Sequence, residues 1–346
     1  TAPEGTGDLD VKVVFEGGGV SDGVRVTVPV YPASQELVEA HSAVLLHGMS
    51  EDELIRSLRE KFINVSSVGA EYSAVSVIDM LRDALPLTVE AKGKDVISQS
   101  EAMYVNLLAA GLRAAEGSPV REYVDAAMTS VSKIQECAND DGGFSWFEGM
   151  KSSPIVTAVV LERFAGLRDR KLLNLVSEEL GEDALDTFDE AVISAVRYMD
   201  SVYFGDPDRP VWYGCISLWQ YLNVRSMYVG VSFDEQAARK DMGTKEYNEF
   251  KKAVKSYLVP RKGERWSEGA ILSKVRMIRV IDALIGSEQG ITLAKAWGVS
   301  SDRKLRKSMK TELESLKEYA VEHPSGGIYY PNAVLPWRGL LESEAY

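Results

Sequence analysis

The stretch NDDGGFSWFEGMKSSPIVTAVVLERF, residues 139–164, passes from a glycine-containing turn into an apolar helical pattern. Its Asp-Gly-Gly step is typical of a helix end, because glycine adopts the positive φ angle that stops a helix. Ser153 and Pro154 then supply an N-cap and a first helical residue. The stretch therefore predicts a chain built from helices that are joined by turns.

The composition excludes several classes of protein. The chain has 346 residues, of which 45% are hydrophobic, and this is enough for one large domain or two ordinary ones. Its formal net charge of -13 repels phosphate backbones, so we expect no nucleic-acid partner. It contains no apolar run of 18 residues, and we therefore expect no membrane-spanning helix. The opening TAPEGTGDLD lacks a basic and apolar signal, and we expect a piece cut from a longer protein.

The first 33 residues differ from the rest of the chain. Alternating β-branched runs at 11–15 and 24–30 are separated by glycines and by Asp22-Gly23, which predicts a pair of strands. Two strands alone bury too little surface to be stable, so we expect strands supplied from elsewhere to cover them. The predicted division is a β segment over residues 1–33 and a helical domain over residues 34–346.

The remainder of the chain has a helical pattern. Ser50 predicts an N-cap followed by acids, and Ser118 with Pro119 predicts a second helix start. Later helices are predicted at 186–202, 212–229, 244–259, 267–284 and 301–321. Strongly apolar helices alternate with charged, one-sided ones, and this alternation favours an inner and an outer helical layer.

A weak repeat accompanies the helices. Turns with glycine and aromatic residues precede apolar stretches at four places: GGFSWFEG, YFGDPDRPVWYG, KGERWSEG and GGIYYPNAVLPW. Their aromatic residues Phe144, Trp212, Trp266 and Tyr329 lie 54 to 68 residues apart, about one helical hairpin per step. Repeated helix pairs with turn motifs at one end indicate a solenoid or a closed α/α barrel.

Asp140 and Asp141 are the first candidates for chemistry. A paired carboxylate can serve as a general acid, or can protonate an alkene in a terpene cyclase. The same residues also suit a turn, since Asn and Asp favour helix ends and loops. We favour the turn. Phe144, Trp146 and Phe147 could line a pocket or pack between hairpins, and we favour packing.

Metal and thiol chemistry have little support in the sequence. The three histidines, His41, His47 and His323, show no ligand spacing. Cys137 and Cys215 permit one disulfide, but their apolar flanks favour two free thiols. The chain also lacks a nucleophile elbow and a phosphate-binding glycine loop. We predict no catalytic residue, no metal and no cofactor.

Several segments in order resemble the α2-macroglobulin-like family. GVSDGVRVTVPVYP resembles the strand-rich segment that leads into the helical domain of that family. DGGFSWFEGMKSSPIVTAVVLERF resembles its glycine-glycine-aromatic hairpin, marked here by Gly142, Gly143, Phe144, Trp146 and Pro154. GGIYYPNAVLPWRGLLESEAY resembles a later copy, and it ends where the family pattern continues. The order of motifs is similar to that of the bacterial, large-lipoprotein branch.

The resemblance implies a fold and the place of a reactive site. The helical domain of the family is an α/α toroid, as in terpene cyclases and prenyltransferases. Many members carry a thioester between Cys and Gln of a Cys-x-Glu-Gln motif. The matching place here is Gly69, Ala70, Glu71 and Tyr72. Only Glu71 matches, so the resemblance implies a degenerate motif that cannot form the bond.

The resemblance also implies a function. It indicates a non-catalytic structural domain, flanked by a CUB-like or macroglobulin-like β-domain, in a protein that traps proteases without a covalent bond. Its partners would be target proteases and other domains of the same chain, in the periplasm or cell envelope. This piece would not touch the membrane, although a lipid can anchor the parent protein. The alternatives are an α/α-toroid enzyme, namely a terpene cyclase, prenyltransferase or carbohydrate-active enzyme, and a helical scaffold that binds a protein.

Overall fold

The computed structural model describes residues 7–30, 40–46, 48–62, 79–80, 88–205, 216–260, 271–324 and 326–330. Over these residues the protein is mainly helical, with twelve α-helices and a two-stranded sheet near its N-terminus, as predicted. The chain divides into two compact units. One comprises residues 1–71 and 324–327, and the other residues 72–323 and 328–346.

The N-terminal sheet is a β-hairpin of β1, Gly7–Gly17, and β2, Val20–Val30. Gly18 and Gly19 connect the strands with φ angles of 61° and 79°, the backbone that a two-residue hairpin turn requires. The strands are longer than predicted, because these two glycines complete the turn by themselves. Asp22 and Gly23 do not separate the strands, as predicted from the sequence, but lie within β2 opposite Phe15 and Val14.

The register gives the hairpin one apolar and one mostly polar face. Val11 pairs with Val26 and Val13 with Val24, and side chains alternate between faces along each strand. Apart from Asp22, the side chains on one face are apolar. They include Leu9, Val11, Val13, Phe15, Val24, Val26 and Val28. The opposite face carries mainly charged and polar residues, among them Asp8, Asp10, Lys12, Glu16, Arg25 and Thr27. We call the first set the apolar hairpin face.

Helix α1, Glu51–Arg59, belongs to the same unit. Ser50 caps it as predicted, since its hydroxyl accepts a hydrogen bond from the Glu53 N–H while the Glu53 carboxylate accepts one from the Ser50 N–H. This reciprocal capping box satisfies two N–H groups that a helix start leaves without partners.

The second unit contains the other eleven described helices. They are α2 (Val96–Ala114), α3 (Arg121–Glu136), α4 (Pro154–Asp169), α5 (Asn174–Leu180), α6 (Asp186–Phe204), α7 (Leu218–Ser226), α8 (Glu235–Met242), α9 (Thr244–Leu258), α10 (Ile271–Ile285), α11 (Glu288–Ala296) and α12 (Asp302–Tyr319). A 3-10 turn, Glu182–Leu185, precedes α6, and two short strands, β3 (Val321–Glu322) and β4 (Ile328–Tyr329), pair antiparallel.

Four helices form an inner row in which each contacts the next: α2, α4, α7 and α10. Contacts of α2 with α4 advance together along both helices, from Glu101 beside Arg163 to Tyr104 beside Gly166, and Gly111 lies beside Leu172, just after the end of α4. For α4 and α7, Glu162 bonds to Asn223 and, further along, Arg168 bonds to the Met227 carbonyl just after α7. For α7 and α10, Trp219 lies beside Arg276, and further along both helices Asn223 and Ser226 border one cleft with Arg279 and Asp282. The inner helices therefore run parallel, as the first members of successive helical hairpins do.

Three other long helices pack against helices of this row. α3 contacts α2, α6 contacts α4, and α12 contacts α10. The predicted alternation of apolar and one-sided helices is visible in the pattern of burial. α4 buries half of its sixteen residues, whereas α9 buries one stripe, Tyr247, Phe250, Val254 and Leu258.

Some predicted boundaries were wrong. α3 begins at Arg121 after Val120, and not at Ser118 with Pro119. The Ser118 N–H donates to the Arg113 carbonyl, so this residue closes α2 instead of opening α3. The helix predicted to reach residue 321 ends at Tyr319, because the residues that follow pair as β3 with β4.

Candidate functional site

Three inner helices begin behind side-chain caps. Asp95, Ser153 and Ser217 accept hydrogen bonds from backbone N–H groups in the first turns of α2, α4 and α7. Ser153 and Pro154 have the roles predicted from the sequence, N-cap and first helical residue. The Val96 N–H also donates to the Trp146 carbonyl at 3.0 Å, which ties the start of α2 to the loop before α4.

That loop uses one of its two aspartates internally. An oxygen of the Asp141 carboxylate accepts hydrogen bonds from the Gly143 N–H at 3.0 Å and from the Ser152 hydroxyl at 2.6 Å. The Asn139 amide donates to the same Ser152 hydroxyl at 2.9 Å. Asp140 is exposed, and its carboxylate does not accept these bonds within the loop. The geometry gives Asp141 the loop-closing role of a turn residue.

The two glycines place this loop against α6. Gly142 has a φ angle of 86°, and a Cβ atom there would lie 2.7 Å from the Ser194 carbonyl oxygen. A Cβ atom at Gly143 would lie 2.7 Å from the ring of Tyr198. Larger residues would force the loop away from α6, so both positions require glycine.

The aromatic residues of the loop divide into two groups. Phe144 is fully buried, and its N–H donates to the Thr157 hydroxyl at 2.9 Å. Trp146 and Phe147, by contrast, are 44% and 48% exposed, so the packing predicted for them was wrong. Backbone bonds explain the difference, since Ser145 is held by Cys137 and Trp146 by the start of α2, which leaves both rings outside.

Two further apolar side chains in this region are exposed. Met150 is 49% exposed in the same loop, and Ile155, the second residue of α4, is 42% exposed. We call Trp146, Phe147, Met150 and Ile155 the aromatic end. Exposed apolar groups of this kind often mark contact sites for other molecules.

Acidic groups accompany the aromatic end. A hydrogen bond to Glu136, with the nearby charges of Glu136 and Glu148, raises the pKa of Lys133. Burial raises the pKa of the free Cys137 thiol, and the charges of Glu136 and Glu148 act in the same direction. Glu136 and Glu148 therefore contribute negative charge near this loop, and negative charge favours cationic partners.

Polar and aromatic pairs connect successive inner helices. The Arg163 guanidinium lies 3.9 Å from the Glu101 carboxylate and 5.8 Å from the centre of the Tyr104 ring, which joins α4 to α2. The Asn223 amide donates to Glu162 at 3.2 Å, and this bond joins α7 to α4.

A buried charge network, which the sequence analysis missed, supports α7. Arg225 is 1% exposed, and its guanidinium donates hydrogen bonds to the carbonyls of Tyr228 and Val231, each at 2.8 Å. The Asp200 carboxylate on α6 accepts hydrogen bonds from the Arg225 Nε and, at 2.7 Å, from the Tyr221 hydroxyl. A charged residue inside an apolar helical pattern is the one sequence signal that could have pointed to it.

Other predicted residues lie elsewhere. Gly69, Ala70, Glu71 and Tyr72, together with His47 and Cys215, fall outside the described residues. His41 packs edge-on against Phe62, and His323 against Tyr329. Among the residues that the structure describes, no group of three or more His, Cys, Asp or Glu side chains is placed to hold a metal ion. No helix in these ranges has the length and apolar character to cross a membrane.

Comparison with known proteins adds no relative. No protein-family model, no curated protein and no solved structure matches the chain.

Proposed function

We propose that this chain is a non-catalytic structural and interaction domain of an extracytoplasmic, α2-macroglobulin-like protein without a thioester. In this proposal the helical unit is part of an α/α toroid, and the parent protein captures proteases by enclosing them. The targets are proteases, and the immediate partners are other domains of the same protein.

The observation that carries the structural role is the apolar hairpin face. Six of its residues are between 41% and 69% exposed: Val11 at 41%, Val13 at 45%, Phe15 at 69%, Val24 at 58%, Val26 at 51% and Val28 at 43%. A two-stranded sheet with one apolar face is stable only when another layer covers that face. The hairpin is thus suited to complete a β-sandwich with strands from a partner domain.

The inner row supports the toroid. Parallel inner helices, each followed by an outer helix that returns along the chain, are the repeating unit of an α/α barrel. The role of Asp141 in closing its loop supports a non-catalytic reading of the acidic pair, because its carboxylate already accepts two hydrogen bonds.

The protease hypothesis is tested with the natural full-length gene product that carries this sequence. The protein is incubated with trypsin, chymotrypsin and elastase, and cleavage of a protein substrate is compared with cleavage of a small peptide ester. Trapping predicts that protein substrates become inaccessible while the ester is still cleaved. Equal cleavage of both substrates, with no change in hydrodynamic radius, would contradict trapping.

The interaction role has a separate test. Hydrogen exchange is measured for the amides of β1 and β2, in the chain described and in the full-length gene product. A partner domain that covers the apolar hairpin face predicts slow exchange in the full-length protein and faster exchange in the shorter chain. Identical exchange in the two proteins would remove this support.

A second candidate function, a scaffold that binds a protein segment, is favoured by the aromatic end and its acidic surroundings. We infer a segment with aliphatic or aromatic residues flanked by Lys or Arg. Binding is tested by the fluorescence of Trp residues on addition of such a peptide, with Trp146→Ala as the variant. A charge-reversed peptide that binds equally well would exclude this recognition.

A further inference from the structure

A polar cleft lies where α4, α7 and α10 come together near their C-terminal ends. Its volume is about 270 Å³. The polar residues that border it are Arg168 and Asp169 of α4, Asn223 and Ser226 of α7, and Arg279 and Asp282 of α10. Sites for small ligands usually have volumes of about 300–1,000 Å³, so this cleft suits a ligand of the size of one sugar ring.

Asn223, which borders the cleft, has one buried polar atom without a partner. Asn223 is 4% exposed, and its amide nitrogen donates to Glu162. This bond fixes the orientation of the amide, because the opposite orientation would direct its oxygen at a carboxylate. The amide oxygen is buried and accepts no hydrogen bond. Such an atom destabilises a protein unless a ligand or a water supplies a donor.

The charges of the cleft balance. The cleft is bordered by two residues with guanidinium groups, Arg168 and Arg279, and by two with carboxylates, Asp169 and Asp282. Arg168 is already committed, since it donates to Asp169 at 3.1 Å and to the Met227 carbonyl at 2.7 Å. An anionic ligand would have to displace these bonds, whereas a neutral hydroxyl can add to them as donor and acceptor together.

The segment after α7 that borders the cleft is held in place by buried Arg225. Met227 and Val229 border it, and the segment that carries them is held by the bonds of buried Arg225 to the carbonyls of Tyr228 and Val231. Arg168 also lies 5.0 Å above the Tyr228 ring. The polar groups are thus presented on a rigid frame, as a binding site requires.

We propose that this cleft binds a neutral polyhydroxylated ligand, a single sugar ring, whose hydroxyl donates to the Asn223 amide oxygen. Neighbouring hydroxyls accept from the guanidinium groups and donate to the carboxylates. The site lies in the helical unit and does not depend on the function proposed above.

Saturation-transfer difference NMR on the full chain tests the site. Glucose, galactose, mannose and N-acetylglucosamine are the probes. Glycine, a zwitterion and therefore a charged small molecule, serves as the negative control. At least one sugar is expected to give a saturable signal, and glycine none. Absence of a saturable signal from all four sugars overturns the proposal, and so does a stronger response to glycine.

Variants locate the binding. Asn223→Leu removes the acceptor and is expected to weaken binding about tenfold, the loss of one hydrogen bond. Asp282→Ala, at an exposed position that tolerates change, keeps the proposal testable if the first variant unfolds, and is expected to weaken binding several-fold. Gln289→Leu makes the same amide-to-leucine change at the neighbouring cavity of about 400 Å³ and should leave binding unchanged. Full affinity in a folded Asn223→Leu or Asp282→Ala protein overturns the assignment.

Discussion

Arg225 and Asp200 form a buried ion pair between α7 and α6, with the Arg225 Nε 3.0 Å from each carboxylate oxygen of Asp200. The Arg225 side chain is 1% exposed and that of Asp200 is 16% exposed. The remaining guanidinium nitrogens donate to two carbonyls, so no part of the charge lacks a partner. The pair joins an inner helix to an outer one and fixes the segment after α7.

Removal of one partner should therefore destabilise the helical unit strongly. Arg225→Met leaves the Asp200 carboxylate buried without its counter-charge, and we expect a loss of about 3–5 kcal/mol. Chemical denaturation followed by far-UV circular dichroism measures it. Lys310→Met, which breaks an exposed pair with Glu314, is the control and should change stability by less than about 1 kcal/mol. Equal effects of the two variants would contradict a structural role for the buried pair.

The Asp95 cap predicts a dependence of stability on pH. Burial opposes the shift, but hydrogen bonds from the Ser98 hydroxyl and N–H outweigh it and lower the pKa of Asp95 below its usual 3.8. A carboxylate whose pKa falls on folding stabilises the protein above its unfolded pKa, and this contribution is lost as pH falls through the folded pKa. At low salt, Asp95→Asn should cost about 0.3–1 kcal/mol at pH 7, because it removes a charge from a helix N-terminus.

The difference in the free energy of unfolding between Asp95→Asn and the unchanged protein should then become smaller as pH falls below 3.8. Ser217→Ala, at the uncharged cap of α7, provides the comparison. Its loss of stability, about 0.5–2 kcal/mol, should not vary with pH in this range. If the loss of stability in Asp95→Asn stays constant down to pH 2, the charge of Asp95 contributes nothing to stability.

The sequence predicts those parts of the fold that depend on local chemistry. The caps at Ser50 and Ser153 and the apolar pattern of α4 follow from neighbouring residues, and they were predicted correctly. The helices α5 and α8 were missed because seven or eight residues are too few to show a helical period. Ser118 was assigned to the wrong helix because a serine before proline suits a helix start. Its N–H instead donates to the Arg113 carbonyl at the end of the preceding helix.

Features that depend on distant residues could not be predicted. Asp200 and Arg225 come from different helices, and nothing local shows that they meet. The exposure of Trp146 depends on where its backbone bonds to Val96, fifty residues earlier in the chain. The cleft beside Asn223 needs three helices in register, and a pattern along one chain does not give that register.

The apolar hairpin face predicts dye binding. Phe15 is 69% exposed and lies on that face, so Phe15→Ser should lower the fluorescence of an apolar dye such as ANS bound to the protein. Lys12→Ser, on the opposite face of the same strand, should leave the signal unchanged. A fall in fluorescence for Lys12→Ser alone would place the apolar surface elsewhere.

Asp140 and Asp141 offer a paired test of the turn against the acidic site. Asp141→Ala removes the acceptor of the Gly143 N–H and of the Ser152 hydroxyl, and should cost about 0.5–1.5 kcal/mol per hydrogen bond lost. Asp140→Ala removes an exposed side chain and should change stability by no more than about 0.5 kcal/mol. Thermal denaturation of both variants measures the difference. If both aspartates act as one acidic site, replacement of either should relieve repulsion and stabilise the protein, and that result would contradict the turn.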